Sequence, residues 1–447
     1  MTAFCPLPNP PPLRGGGDCR RFGTKPSTSK RGRVASVSEP GGGIGCGLAF
    51  PHPAKALSPR VERGRGGMAA AEDSGLAGAP GRVPAWVGLA LLPLLNLMLA
   101  LALSGFVVLA VGESPWAALK VLAWGAAGYP EAVGFTLYYA TGFIFTGLAV
   151  AMAFHAGLFN IGGEGQAYLG GLGAGLVALS MPAGWPWPVA ALLGVAAAAL
   201  FGGAWAFLPG WLQARRGSHV VITTIMFNFI ASALMTWLMV DVLIKPGQQS
   251  PESREFPPDT WMPAMDRALG WLGVEAPASP LNLSFLLALG CCALVYGFVW
   301  HTRWGYALRV VGQNERAAVY AGISPARAVI LAMILSGALA GLAGVNEVLG
   351  VQHRLILNFT GGVGFVGIAV ALMGRNHPVG IVLAALLFGA LYQGGSELSF
   401  EFQTINREMV VVIQGLVILF AGAMENLFRP QVEALFRPRE KGRAAHG

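Results

Sequence analysis

The sequence predicts an all-α polytopic membrane protein with about ten transmembrane helices. Of its 447 residues, 54% are hydrophobic and only 12% are charged, whereas soluble globular chains contain about 25% charged residues. The apolar residues are gathered into long runs, and a helix needs about 20 mostly apolar residues to cross a bilayer. The low charge and the long apolar runs together place most of the chain in a membrane.

Ten apolar segments are candidates for these helices. In chain order they are 86–111, 134–155, 166–181, 187–208, 220–243, 282–300, 327–350, 362–374, 379–395 and 409–424. Several of them are rich in glycine, which is common in membrane helices because small residues let helices approach closely. The glycines of 166–181 and 327–350 are therefore predicted to be helix-packing positions.

Residues 85–425 form the predicted membrane domain. Residues 1–67 are rich in glycine, proline, serine and arginine, and we expect them to be disordered because they bury too little apolar surface to offset chain entropy. The sequence from Met68 resembles an ordinary protein start, so residues 1–67 are not expected in the mature protein. Residues 68–84 and 426–447 are predicted to be a cytoplasmic N-terminal segment and a cytoplasmic tail.

Arginine in the short loops orients the predicted helices. The predicted inner loops carry Arg215, Arg216, Arg303, Arg309, Arg316 and Arg375. Since cytoplasmic loops hold the excess of lysine and arginine, both termini are predicted to lie in the cytoplasm. The segment 245–281, which is rich in proline and polar residues, then lies outside as an irregular lid or as a docking surface for an external partner.

Two similar glycine motifs follow the second and the seventh predicted spans. They read FNIGGEGQ at 159–166 and NFTGGVGF at 358–365. Because five spans separate them, the two halves of the chain would have opposite orientations, as in the inverted repeats of many transporters. We therefore predict an inverted repeat, with a chance likeness of two short motifs as the alternative.

Six polar side chains in or beside the predicted spans are candidates for a solute pathway. They are Asn160, Glu164, Gln166, Thr224, Asn228 and Asn346. Polar groups are costly in lipid, so they face cavities or one another, and Thr224 and Asn228 share a helix face because they are four residues apart. As a set they suit a polar, uncharged solute better than an ion. Hydrogen bonding between helices is the alternative for each of them.

The chain carries no recognisable catalytic or metal-binding pattern. None of its lysines follows a glycine, so a Walker A sequence is absent. Its histidines include no pair with metal-ligand spacing, and no two carboxylates share a helix face within a span. The sequence therefore predicts no catalytic residue and no metal, and it disfavours an intramembrane enzyme. The net charge of +8 is expected to set topology rather than to bind nucleic acid.

One short polar segment interrupts the apolar runs, and it reads VVGQNERAAVYAGIS at 310–324. Asn314 is a good N-cap residue, and Glu315 in the first turn suits the helix dipole. Gly322 is well placed to end the helix in a left-handed conformation. The segment therefore predicts a separate two-turn helix over 315–321, on the cytoplasmic side, whose alanines would let it enter a cleft.

At these residues the chain resembles a known family. The pattern Gly312-x-Asn314-x-x-Ala317-Ala318 with Gly322 resembles the coupling-helix motif of permease subunits of bacterial ABC importers. The stretches FNIGGEGQAYLGG, TTIMFNFIA and GRNHPVGIVLAALLFGAL resemble other signatures of the ribose-type, simple-sugar and nucleoside branch, which is related to the branched-chain amino-acid permeases. Relatives often have proline where Glu315 stands.

The resemblance implies a type II ABC importer permease that imports nucleosides or simple sugars, small polar solutes, across the bacterial plasma membrane. Such permeases pair with a second copy or a paralogue, receive solute from an external binding protein or lipoprotein, and bind cytoplasmic ATPase subunits, which hold the ATP and Mg²⁺. No cofactor would be bound by this chain. The residues expected to contact the ATPase are Gln313, Asn314, Glu315, Arg316, Ala317, Ala318 and Gly322.

Two other functions stay open from the sequence. One is an ABC permease for branched-chain amino acids, since amide and hydroxyl side chains can also bind amino-acid groups. The other is a secondary transporter that works without an ATPase. No aspartate lies deep within a predicted span, and secondary transporters normally carry coupling acids there, which counts against the second.

Overall fold

The structure is a computed structural model, and it describes residues 92–423 except 183, 272 and 403. Its α-helices in that part are α1 (Leu92–Ala110), α2 (Pro115–Ala127), α3 (Pro130–His155), α4 (Gly163–Ser180), α5 (Trp187–Arg216), α6 (Val220–Trp237), α7 (Met265–Gly270), α8 (Ser284–His301), α9 (Arg303–Gln313), α10 (Glu315–Tyr320), α11 (Pro325–Glu347), α12 (Val363–Met373), α13 (Pro378–Glu401) and α14 (Arg407–Ala423). One turn of π-helix extends α6 through Val242, and another extends α11 through Gln352. The predictions for 1–67, 68–84 and 426–447 lie outside the described residues.

The all-α class is confirmed, and a helix lies at each of the ten predicted spans. Within the described residues, six helices are by themselves long and apolar enough to cross a membrane, or seven when α1 and α2 are counted as one bent span. The helix α12, by contrast, has only 11 residues. The chain therefore crosses the membrane several times, but the predicted count of ten is not confirmed.

The sequence did not predict α2, which follows α1 at an angle of 119°. It begins because the Ser114 side chain accepts a hydrogen bond from the Ala117 N–H and Pro115 occupies the first helical position. Its Trp116 and Trp124 side chains are exposed. Tryptophan is typical of helices at the membrane surface, so α2 fits a position along the outer interface.

The packing at the centre follows the predicted repeat. The helix α11 packs on α5 and α4, and α3 packs on the corresponding helices of the other half, α13 and α12. This is the packing expected of two repeated halves in which the central helix of each half packs against helices of the other half. The centre also includes α3 against α11, the second predicted span of each half.

Glycines make this close packing possible, as predicted. The helices α4 and α11 cross with Gly170 directly against the backbone of Gly341, and a Cβ atom on Gly170 would collide with that backbone. Small residues at such crossings bring helix backbones into contact, which is how membrane helices gain van der Waals energy.

Gly170→Ala is expected to push α4 away from α11 and to destabilise the protein by about 1–3 kcal/mol. Gly290→Ala in α8 is the matched control, because nothing lies within 4 Å of the added methyl group and alanine favours a helix by up to about 1 kcal/mol. The thermal unfolding temperature of both variants in detergent checks this. Equal unfolding temperatures would contradict the packing role of Gly170.

Candidate functional site

The two glycine motifs meet in the structure. Glu164, in the first turn of α4, accepts hydrogen bonds from the Thr360 hydroxyl and from the backbone N–H groups of Gly362 and Gly364, the last two at 2.9 and 2.8 Å. The first motif therefore holds the start of α12, which the second motif opens. The sequence analysis singled out both motifs but did not predict this contact.

Local backbone geometry aims the N-terminus of α12 at Glu164. Gly361 and Gly362 have φ angles of 54° and 87°, a left-handed conformation that suits glycine. Gly364 packs so closely on the backbone of α4 that a Cβ atom there would meet the Glu164 nitrogen. Because the first N–H groups of a helix lack helical partners and carry a partial positive charge, a carboxylate is the natural group to satisfy them.

The first glycine motif is braced by buried amides. The Asn160 side chain donates to the Gln166 carbonyl oxygen at 2.9 Å and to the Ser336 hydroxyl of α11 at 2.8 Å. Its own oxygen accepts from the Gly162 N–H at 2.9 Å. Asn160 and Gln166 are each about 1% exposed, so these contacts fix the motif to α11.

The helix α6 holds the same motif from the other side. The Thr224 hydroxyl accepts from the Ile161 N–H at 3.3 Å. The Asn228 oxygen accepts from the Gly165 N–H, and its nitrogen donates to the Ile161 carbonyl, both at 2.9 Å. The prediction that Thr224 and Asn228 share one helix face is confirmed, since both contact this motif.

The sixth candidate, Asn346, forms its hydrogen bonds away from the two glycine motifs. Its oxygen accepts from the Asn282 amide at 3.1 Å, and its nitrogen donates to the Tyr138 carbonyl at 3.5 Å. The alternative considered for all six residues, hydrogen bonding between parts of the chain, is therefore what the structure shows. Contact of any of them with a solute stays a prediction.

Two tyrosines that the sequence analysis missed, Tyr139 and Tyr392, pack together in the part of the fold that holds Glu164. The ring centroids of Tyr139 and Tyr392 lie 5.7 Å apart, and Phe143 packs on Tyr392 at 5.0 Å. The Tyr392 phenol lies within electrostatic reach of the Glu164 carboxylate, and Tyr139, Glu164 and Tyr392 are all partly exposed. We call these three residues the aromatic–acid cluster. In the sequence these tyrosines lie within apolar runs, where an aromatic side chain is expected only to pack against neighbouring helices.

The short helix α10 has the capping residues that the sequence predicted, and it ends one residue before the predicted 321. The Asn314 side chain accepts from the Ala317 N–H at 3.1 Å. At the other end the Ile323 N–H bonds to the Ala318 carbonyl at 2.9 Å and the Gly322 N–H to the Val319 carbonyl at 3.0 Å. Gly322 has φ of +75°, which completes a Schellman motif. The helix is therefore a separate rigid unit that ends at Tyr320.

The side chain of Ala318, which was expected to contact the ATPase, does not lie on the exposed face of α10. Its side chain is 0% exposed, because it faces the protein's own interior and anchors α10 to the rest of the chain. The exposed face carries Arg316 and Ala317, Val319 at 59% and Tyr320 at 94%. A second protein could contact these four side chains, whereas it could not reach that of Ala318.

A direct backbone contact joins α9, which leads into α10, to the end of α3, just before the first glycine motif. Gly312 near the end of α9 lies against the backbone from His155 to Gly157, where α3 ends, and a Cβ atom on Gly312 would collide with the His155 carbonyl. Asn160 follows three residues after Gly157. Displacement of α10 would therefore act on the end of α3 beside the motif.

The segment 245–281 is largely irregular, as predicted, apart from α7 and one 3-10 turn. It is tied to the end of α11 by a salt bridge of 2.9 Å between Glu252 and Arg354 and by the Trp261 ring, which stacks on His353 at 3.8 Å. Burial lowers the pKa of His353, nearby Arg267 lowers it further, and Glu255 opposes both. The role of this segment as a docking surface stays a prediction.

Comparison with known proteins identifies the relatives of this chain. A family described as "Branched-chain amino acid transport system / permease component" matches residues 132–422. The guanosine ABC transporter permease protein NupP of Bacillus subtilis is 36% identical over 336 residues, which cover 74% of this chain and 93% of that protein. The glucose ABC transporter permease protein TsgB13 of Haloferax volcanii is 33% identical over 357 residues, 79% of this chain and 92% of that protein.

A third relative is the nucleoside ABC transporter permease protein NupB of Lactococcus lactis. It is 33% identical over 333 residues, which cover 74% of this chain and 90% of that protein. No solved structure matches the chain.

Proposed function

Because the chain belongs to the branched-chain amino acid transport system permease component family and is a multi-pass plasma-membrane permease subunit of an ABC importer, we propose that its solute is a nucleoside. The observation that carries this proposal is the aromatic–acid cluster. A nucleobase stacks on aromatic rings, and ribose hydroxyls can donate hydrogen bonds to a carboxylate. The relatives NupP and NupB are named as guanosine and nucleoside permeases.

A simple sugar is the second candidate. The relative TsgB13 is named as a glucose permease, and a sugar could use the same carboxylate without a stacking partner. A branched-chain amino acid fits the cluster less well, because its carboxylate would be repelled by Glu164.

In the proposed complex, the exposed face of α10 contacts a cytoplasmic ATPase subunit that binds ATP and Mg²⁺. Closure of the ATPase would move α10, and the contact of Gly312 with the end of α3 would carry that movement to the first glycine motif. The polar pathway candidates that bond to this motif would then form the hinge at which the solute pathway opens and closes. A second permease, as a copy or a paralogue, and an external solute-binding protein or lipoprotein complete the importer.

An uptake assay with labelled guanosine, glucose and leucine tests the choice of solute. In cells that express the whole transporter, guanosine uptake is expected, with competition by unlabelled nucleosides and none by glucose or leucine. Uptake of leucine alone or of glucose alone would contradict the proposal.

Stacking is tested at Tyr392. Tyr392→Ala is expected to weaken the apparent affinity for guanosine about tenfold, because stacking on one aromatic ring contributes about 1–3 kcal/mol per base. Tyr392→Phe is the matched control, since it keeps the ring and removes only the hydroxyl. Equal affinities of the alanine and phenylalanine variants would remove the support for base stacking.

A further inference from the structure

A pocket of 450 Å³ lies between α9 and the start of α11, beside the C-terminal end of α10. Arg303 of α9 and Arg327 of α11 line it, together with the left-handed Gly322 that ends α10. Its apolar lining includes the partly exposed side chains of Ile323 and Leu331. The pocket is thus amphipathic, with two cationic groups beside apolar side chains.

The two guanidinium groups are exposed, and within the described residues the structure gives them no ion pair. With the predicted orientation, both lie on the cytoplasmic side, where α9 and α11 begin. The inner surface of a plasma membrane carries anionic phospholipids, which attract arginine near the surface. The charge of the pocket is therefore complementary to that leaflet.

Neighbouring side chains place the pocket at lipid depth rather than in the cytosol. On α9, Trp304 is 62% exposed and lines the pocket, and Tyr306 is 57% exposed. Exposed tryptophan and tyrosine are typical of the level of the lipid headgroups. Leu331 lies more than one turn inside the spanning helix α11, so the apolar wall continues towards the hydrocarbon.

We propose that this pocket binds an anionic phospholipid of the inner leaflet. The headgroup phosphate accepts hydrogen bonds from Arg303 and Arg327, and the start of an acyl chain lies along Ile323 and Leu331. Because Gly322 lines the same pocket, the bound lipid contacts the C-terminal cap of α10. The proposal depends on the predicted orientation and not on the identity of the solute.

Lipid binding is measured on the purified full chain in detergent by native mass spectrometry, with phosphatidylglycerol or phosphatidylcholine added. Phosphatidylglycerol is expected to bind more tightly. Arg303→Gln and Arg327→Gln are each expected to weaken its binding about fivefold, since one arginine near an anionic surface contributes about 1 kcal/mol. Arg215→Gln is the matched control, because Arg215 is an exposed arginine of the same predicted side outside the pocket, and it should bind as the wild type does.

Two further measurements distinguish a phospholipid from free phosphate and from the ATPase as the occupant of the pocket. Inorganic phosphate is added alone, and it should fail to displace phosphatidylglycerol, because it cannot use the apolar wall. Association with the ATPase subunit is measured for the same variants and should be unchanged. The proposal is overturned if phosphatidylcholine binds as tightly as phosphatidylglycerol, if phosphate displaces the lipid, or if the variants lose the ATPase and retain the lipid.

Discussion

Glu164→Ala is expected to abolish solute uptake and to destabilise the protein by about 3 kcal/mol or more, because hydrogen bonds to a charged group contribute about 1.5–3 kcal/mol each. The substitution removes the acceptor of three such bonds, from Thr360, Gly362 and Gly364. It leaves the first N–H groups of α12 without the carboxylate that satisfies them. Thermal unfolding in detergent and uptake into vesicles measure the two effects.

Two milder variants serve as controls for the role of Glu164. Thr360→Val removes one of the three donors and keeps the carboxylate, so a small loss of stability is expected. Glu164→Gln keeps the size of the side chain and one carbonyl oxygen, so it should fall between the wild type and alanine. If the alanine variant unfolds at the wild-type temperature, the carboxylate does not hold α12.

Tyr320→Asp is expected to abolish association with the ATPase and ATP-driven uptake, while membrane insertion stays normal. Tyr320 is 94% exposed, so the substitution leaves the fold of the permease intact. Central aromatic residues of interfaces often contribute 2 kcal/mol or more, which corresponds to a loss of about 30-fold in affinity. Copurification of the ATPase with the permease measures the association.

The control for this prediction is Tyr320→Phe, which keeps the aromatic ring and should keep the ATPase. Ala318→Asp is expected to fail for another reason, since it buries an unpaired charge against the permease itself. It should lower the unfolding temperature, which Tyr320→Asp should not. Normal copurification of the ATPase with Tyr320→Asp would show that the exposed face of α10 is not the contact.

The ends of α10 could be predicted from the sequence because each cap involves residues that are close along the chain. Asn314 and Gly322 act on backbone groups three to five residues away, and such preferences are local. The burial of Ala318 could not be predicted, since the neighbouring alanines 317 and 318 differ only in the direction they face around the helix. That direction depends on how α10 packs against the rest of the chain.

The contact of Glu164 with α12 could not be predicted from the sequence for a different reason. It joins residues 196 to 200 positions apart, and only the packing of α3, α4 and α12 brings them together. The repeat of the glycine motifs indicated that both matter but not that they touch. The tyrosines of the aromatic–acid cluster were missed because an aromatic residue in an apolar run looks the same whether it packs or lines a cleft.

The predicted number of spans is not confirmed where apolar segments are short. The 11 residues of α12 extend about 16 Å at 1.5 Å per residue, roughly half of the ~30 Å hydrocarbon core. Apolar composition identified the segment, but it cannot tell a half-span held by Glu164 from a complete crossing. The helix α2 was missed for the opposite reason, since at 13 residues it is too short for a span and its tryptophans favour the interface.

The dependence of uptake on a separate ATPase tests the central claim most directly. Vesicles that contain the permease and its ATPase, with solute-binding protein outside and ATP inside, are compared with vesicles in which the Walker A lysine of the ATPase is replaced. Accumulation of labelled guanosine is expected only with the intact ATPase. Accumulation at the same rate and to the same level with the inactive ATPase would contradict the account, since it would make this chain a transporter that works on its own.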